Sequence, residues 1–212
     1  MSTMRSTGER RWFRERNAPA GAPLRCLDGC SVEATCPYYA PRIYLERFAG
    51  TRDWPRSVLA PDGDDEGVLA ALRTGPYGRC VYHCDNDVVD HQGTLLRFAG
   101  GLRATLVVTA FSAEVTRTVR VVGSHGEVAG HFGRGTLDLR TFATGEERRL
   151  EVGPSDGHAE ADRAFLRDLV ERLQGGLRPS GTDLTTSLDS HFLAFAAERS
   201  RHAGCEIRPE TA

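Results

Sequence analysis

Apolar and polar residues alternate in the middle of the chain. Leu102, Ala104, Leu106, Val108 and Ala110 would share one face of an extended segment, with polar residues at most of the positions between them. This period of two is typical of a half-buried β-strand. The preceding pair of glycines at 100–101 predicts a tight hairpin turn that joins this strand to a strand over residues 94–99.

The same kind of pattern predicts further strands on both sides. One hairpin is expected from residues 118–122 and 127–132 around a turn at 124–126. Another is expected from residues 137–142 and 148–152 around a turn at 144–145. A first strand over residues 79–85 would complete a sheet that extends over residues 79–152.

Segments in which apolar residues recur at helical spacing lie on both sides of this sheet in the sequence. Acidic residues at 62–66 precede Val68, Leu69 and Leu72, and a Gly-Pro pair at 75–76 ends the stripe, which predicts a short helix. Apolar stripes over 165–173 and 188–196 predict two helices within residues 160–203. The expected fold class is therefore α+β: an open antiparallel β-sheet with helices packed on one face, preceded by a Cys-rich loop.

The N-terminal third has little periodicity. Residues 1–16 carry five arginines, two glutamates and no apolar run, so we expect a disordered arm rather than a secretory leader. Residues 17–60 form a region rich in cysteine and proline. The domain would then occupy residues 17–212. The absence of a leader favours a cytoplasmic protein, in which thiols stay reduced.

Composition excludes several function classes. Hydrophobic residues are 40% of the 212, charged residues are 26%, and the formal net charge is -2. These values exclude a membrane span and give no basic field for nucleic acid. All 27 of the Lys+Arg residues are arginine, so no lysine of this chain can act as an acid, a base or a Schiff-base former.

Five cysteines have spacings compatible with a metal site. Cys26, Cys30 and Cys36 lie in the first loop, and Cys80 and Cys84 lie on the expected strand over 79–85. Zinc prefers four soft ligands from two chain segments, so three cysteines of the loop plus either Cys80 or Cys84 would complete a structural site. The alternative is that the cysteines are small buried apolar residues.

Polar and titratable residues are concentrated in the run CDNDVVDHQ at residues 84–92. Asp87, Asp90 and His91 could bind a polyhydroxylated ligand through its hydroxyl groups, and His91 beside Asp90 could act as an acid or base. The alternative is a solvated strand end. His158, just before the first long helix, could also face a ligand, unless this segment only caps the helix.

Several motifs together resemble one known family. They are FRERNAPAGAP at 13–23, DGC at 28–30, CPY at 36–38, GPYGRCVY at 75–82, CDNDVVDHQ at 84–92, TAF at 109–111 and GSHGE at 123–127. Over roughly residues 13–208, the chain is similar to the C-terminal part of a branch of the Gfo/Idh/MocA oxidoreductases. The resemblance implies an α+β substrate-binding and oligomerisation domain of an NAD(P)-dependent enzyme that acts on sugars, inositols or related polyols.

The chain departs from this family in what it lacks. It has no Gly-rich phosphate loop and no Glu-Lys-Pro motif, so the Rossmann domain and its catalytic lysine are missing and we assign no catalytic or cofactor-binding residue. The resemblance implies substrate contacts by Asp87, Asp90, His91 and His158. It also implies a homo-oligomer through the sheet face, or pairing with a separate Rossmann-domain chain. The alternative is a zinc-stabilised, non-catalytic module that binds a sugar or a partner.

Overall fold

The computed structural model describes residues 3–153, 158–175 and 184–210. In these ranges the strands are Thr3–Glu9 (β1), His91–Arg97 (β2), Arg103–Thr109 (β3), Thr118–Val122 (β4), Gly126–His131 (β5), Thr136–Thr141 (β6) and Glu147–Glu151 (β7). The α-helices there are Arg56–Leu59 (α1), Asp65–Thr74 (α2), His158–Leu173 (α3) and Leu184–Ala203 (α4). All strand pairs in these ranges are antiparallel, and the α+β class expected from the sequence is confirmed.

The strands form two sheets rather than the single sheet expected over residues 79–152. The chain divides into two compact units, one of which runs to Phe111 and also contains Phe192–Glu210, while the other is Ser112–His191. The first unit holds a three-stranded sheet in the order β1-β2-β3. The second unit holds a four-stranded meander in the order β4-β5-β6-β7. The three hairpins predicted from glycine and alternating residues are all present.

The N-terminal segment is a strand, and the expected disordered arm over residues 1–16 is wrong for Thr3–Glu9. β1 pairs with β2 along its whole length, and the Met4 backbone exchanges two hydrogen bonds of 2.9 Å with Ile207. Ser6 is buried, with its hydroxyl 2.9 Å from that of Thr94 and its backbone N–H donating to the Ser200 hydroxyl. Hydrogen bonding among these hydroxyls offsets the cost of burying them, so this strand has no apolar stripe.

Residues 79–85 are also not the expected strand. The Cys80 N–H donates to the Leu24 carbonyl, and the His83 N–H then donates back to the Cys80 carbonyl, which closes a turn. Cys80 and Tyr82 are buried in this turn. Cys80 and Cys84 therefore do not share a strand face. The first sheet residue after this segment is His91.

The short helix predicted after residue 62 is α2, and it anchors the cysteine-rich region. Val68 and Leu72 are 0% exposed and pack in one cluster with Cys26, Ala40 and Ala60. The carboxylate at the start of the helix caps it, since Asp64 accepts a hydrogen bond of 2.7 Å from the Gly67 N–H. The cysteine-rich loop thus shares a core with a helix that lies beyond it in sequence.

Many of the apolar residues that the periodic patterns predicted to be buried are exposed. Leu106 and Val108 on β3 are exposed, and so are Phe165, Leu166 and Val170 on α3. Large contiguous patches of exposed apolar residues are typical of protein–protein or ligand-binding surfaces and of aggregation-prone ones. No helix in the described part of the chain is long and apolar enough to cross a membrane.

Candidate functional site

Asp90 precedes β2 and is fixed by both neighbouring strands. Its N–H donates to the Glu9 carbonyl at 3.1 Å, and its own carbonyl accepts from the Ala110 N–H at 2.8 Å. The side chain is 2% exposed. The sheet therefore determines where this carboxylate lies, and the carboxylate cannot rotate into solvent without breaking its hydrogen bonds.

The Asp90 carboxylate accepts three hydrogen bonds. Its Oδ2 accepts from the backbone N–H of Trp12 at 2.6 Å and of Phe13 at 3.2 Å. Its Oδ1 lies 2.8 Å from Nδ1 of His91. Burial alone would raise the pKa of Asp90, but the hydrogen bonds from His91 and from the Trp12 and Phe13 backbone outweigh burial and lower it to about 2. Asp90 is therefore ionised at neutral pH.

The ionised Asp90 fixes the tautomer of His91. A carboxylate only accepts, so the proton of the neutral imidazole resides on Nδ1, and Nε2 is a hydrogen-bond acceptor. The His91 side chain is 44% exposed. The pair thus presents one oriented acceptor at the surface, backed by a buried negative charge.

The loop that carries Asp87 is tied to the end of β1. The Arg10 guanidinium donates to the carbonyl of Cys84 at 3.3 Å and to the carbonyl of Asn86. Asp87 itself is exposed. The pKa of Arg201 on α4 is raised, first by its hydrogen bond to Glu198 and to a smaller extent by the charge of Asp87. The charges of Asp87 and Arg201 therefore interact, and Asp87 belongs to the same unit as Asp90 and His91.

Aromatic rings continue from the backbone that binds the buried carboxylate, and the sequence patterns did not assign them to the site. Phe13 stacks on Phe111 with ring centroids 5.5 Å apart and contacts the edge of Tyr38 at 5.0 Å. Tyr38 in turn contacts Tyr82. Phe111 is 46% exposed, and such rings give a flat apolar surface that can pack against the C–H face of a sugar. In the sequence, Phe111 stood out only as the last residue of the TAF motif.

Four of the five candidate metal ligands come together, in the same unit. Cys26, Cys30, Cys36 and Cys80 line one small cavity of about 10 Å³. Burial raises the pKa of the Cys26 and Cys80 thiols, and the neighbouring cysteines raise it further. Cys84 is not in this lining, because its thiol donates to the Cys80 carbonyl at 3.3 Å. Within the described ranges, no three His, Cys, Asp or Glu side chains already stand in the arrangement of a metal site.

His158 is the first residue of α3, in the second unit. Its side chain lies outside the described residues. The substrate contact expected of His158 therefore stays a prediction.

Known proteins are similar to this chain in structure. No family model matches it, and no curated protein matches it. Among solved structures, levoglucosan dehydrogenase in its apo form matches 59% of this chain at 17% identity, with a TM-score of 0.51. The same enzyme in complex with NADH and L-sorbose matches 59% at 18% identity, with a TM-score of 0.50. An oxidoreductase domain protein from Kribbella flavida matches 63% at 18% identity, with a TM-score of 0.50.

At these identities the likeness shows a shared fold. The neighbours are oxidoreductases of the Gfo/Idh/MocA type, and the fold of the chain is that of their C-terminal domain. The resemblance found in the sequence is thus confirmed at the level of the fold. The match covers only 38 to 40% of the length of these proteins.

Proposed function

We propose that this chain is the substrate-contacting and assembly domain of an NAD(P)-dependent oxidoreductase that acts on a sugar, an inositol or a related polyol. This proposal rests mainly on the pair of buried Asp90 and half-exposed His91, which are joined by a hydrogen bond of 2.8 Å. The shared fold with a sugar-acting dehydrogenase supports this proposal.

The pair is suited to a hydroxyl group. A sugar hydroxyl would donate to Nε2 of His91, and the negative charge of Asp90 would strengthen that acceptor through the ring. Asp87 offers a second carboxylate on the same unit for another hydroxyl. The exposed part of the Phe111 ring offers an apolar surface for the C–H groups of the sugar. Together these groups match the mixed polar and apolar surface of a polyol.

The described residues do not fit a dinucleotide. Their strand pairs are all antiparallel, without the parallel strand–turn–helix unit that cradles a pyrophosphate. The first turn of α2 carries Asp65 and Glu66, whose charges would repel phosphate. We therefore derive no reaction step through NAD(P). The chain alone is expected to be inactive, and a nucleotide-binding unit would have to be supplied in addition.

The assembly role rests on the exposed apolar residues of β3, among them Leu106 and Val108. This face would be covered by a second copy of the chain or by a separate Rossmann-domain chain. Sedimentation over a concentration series separates these cases: a self-associating chain supports the first, and a strict monomer leaves only the second. A strict monomer that also fails to bind a purified Rossmann partner contradicts the assembly role.

Sugar binding tests the proposal directly. Saturation-transfer NMR on the full chain, with levoglucosan, L-sorbose and myo-inositol as probes, is expected to detect binding to at least one of them, with a Kd of about 1 mM. His91→Ala should weaken that binding about tenfold, because one hydrogen bond to the sugar is lost.

His125→Ala is the matched control, since His125 lies in an exposed turn of the other unit. This control variant should bind the probe like the unmodified chain. No transfer to any of the three probes, or equal binding by His91→Ala and the unmodified chain, contradicts the proposed function. A zinc-stabilised sugar-binding module would show the same binding but would not gain dehydrogenase activity with any nucleotide-binding partner.

A further inference from the structure

We infer that Cys26, Cys30, Cys36 and Cys80 bind one structural zinc ion, and that Cys84 is not a ligand. The four cysteines line a common cavity, although three come from the first loop and the fourth lies more than forty residues later in the sequence. This inference is independent of the proposed sugar site and can fail separately from it.

The backbone brings the two segments together. Arg25 and Arg79 form an isolated antiparallel bridge. In it, the Cys26 N–H donates to the Gly78 carbonyl and the Cys80 N–H to the Leu24 carbonyl, both at 2.9 Å. Cys26 and Cys80 directly follow the two bridged arginines, and both line the same cavity. Two ligands of the site are thus placed by main-chain hydrogen bonds.

The loop supplies the other two cysteines. The Cys36 N–H donates to the Val32 carbonyl at 2.9 Å, and the Glu33 N–H donates to the Cys30 carbonyl, so the segment between them is folded into tight turns. The Arg42 guanidinium donates to the Cys36 carbonyl at 2.8 Å and fixes the end of this segment. These bonds hold Cys30 and Cys36 against the same cavity.

The chemistry of the donor set indicates zinc in a structural role. Four thiolates form the closed tetrahedral set typical of structural zinc, with Zn–S distances of about 2.3 Å and no open position for a substrate. A cavity of about 10 Å³ has room for one ion. Because no three metal-binding side chains in the described residues are already arranged around an ion, the inference requires the four cysteine side chains to rotate toward the metal when it binds.

Cys84 is the internal control that the structure provides. Cys80 and Cys84 have the same residue type and belong to the same turn, but Cys84 directs its thiol to the Cys80 carbonyl. The sequence left the fourth ligand open between these two cysteines. The structure favours Cys80, and the two single substitutions therefore have opposite expected outcomes.

The test is the metal content of the full chain, purified under reducing conditions and without chelator. We expect elemental mass spectrometry to find about one equivalent of zinc per chain. After zinc is replaced by cobalt, we expect the absorption spectrum of cobalt in a tetrahedral thiolate site. Cys80→Ser should lose at least nine tenths of the zinc, whereas Cys84→Ser and Cys205→Ser should retain it.

Three results would overturn the inference. They are less than a tenth of an equivalent of zinc in the unmodified chain, cobalt bound without a thiolate spectrum, or disulfide bonds among the four cysteines of the purified chain. Retention of zinc by Cys80→Ser with loss from Cys84→Ser would overturn the assignment of the fourth ligand. The zinc content and cobalt spectrum of the unmodified chain keep the test decisive if Cys80→Ser does not fold.

Discussion

Replacing Gly78 with alanine is expected to lower the free energy of unfolding of the first unit by about 3 kcal/mol or more. An added Cβ would lie 1.7 Å from the Leu72 carbonyl oxygen and 2.9 Å from Nη2 of Arg25. Neither neighbour can move freely, because the Arg25 guanidinium donates to that same Leu72 carbonyl at 2.9 Å. The Gly78 carbonyl is also held, since it accepts from the Cys26 N–H.

Urea denaturation followed by tryptophan fluorescence measures this effect, because both tryptophans, Trp12 and Trp54, lie in the first unit. Gly93→Ala is the matched control, since an added Cβ at Gly93 meets nothing within 4 Å. The control should unfold close to the unmodified chain. Equal unfolding midpoints for the two variants would show that the helix α2 and the cysteine-rich loop do not pack as described.

Asp90→Asn is expected to lower the free energy of unfolding by roughly 3 kcal/mol at neutral pH. Asparagine has one acceptor oxygen and an amide that donates, whereas Asp90 accepts from Trp12, Phe13 and His91. At least one of these donors would lose its acceptor inside the protein. The loss is large because the side chain is almost fully buried and carries a charge.

The same carboxylate makes stability depend on pH. The folded-state pKa of about 2 lies below the unfolded value of about 3.9, so the stabilisation is fully present above about pH 4 and is lost as the pH falls toward 2. Asp90→Asn should therefore lose less stability than the unmodified chain over this window. The exposed Asp62→Asn is the control and should follow the unmodified chain. Identical acid profiles for Asp90→Asn and Asp62→Asn would contradict the role of Asp90.

Much of the fold follows from local signals in the sequence. The hairpin between β2 and β3 is predictable because Gly101 takes a positive φ of 85° that glycine adopts without strain. Helix α2 is predictable from its acidic start, its apolar stripe and the Gly-Pro pair after it. These signals act within a few residues, and tertiary contacts do not override them.

The elements that the sequence patterns missed depend on distant partners. β1 buries Ser6 against Thr94 and Ser200, so its burial is stabilised by hydroxyl groups and leaves no apolar pattern. The segment 79–85 alternates like a strand, but Cys80 pairs with the backbone at Leu24 and the chain turns at once. Neither set of partners can be predicted from the residues that are adjacent in the sequence.

The candidate site was likewise predictable only in part from the sequence. Asp90 and His91 stand out because a run of polar and titratable residues is costly to bury. The Trp12 and Phe13 N–H groups that bind Asp90 could not be found, because every residue except proline carries the same donor. The choice of Cys80 over Cys84 likewise required the turn that only the structure shows.

Histidine side-chain NMR of the ¹⁵N-histidine-labelled chain tests the sugar-binding role of His91 most directly, when the chain is titrated with the probe that binds in the saturation-transfer experiment. We expect the Nε2 resonance of His91 to shift progressively and saturate with the sugar, while Nδ1 keeps the signature of a protonated nitrogen bound to Asp90. A sugar that binds without moving the His91 resonances, or a His91 protonated on Nε2 alone, would contradict it.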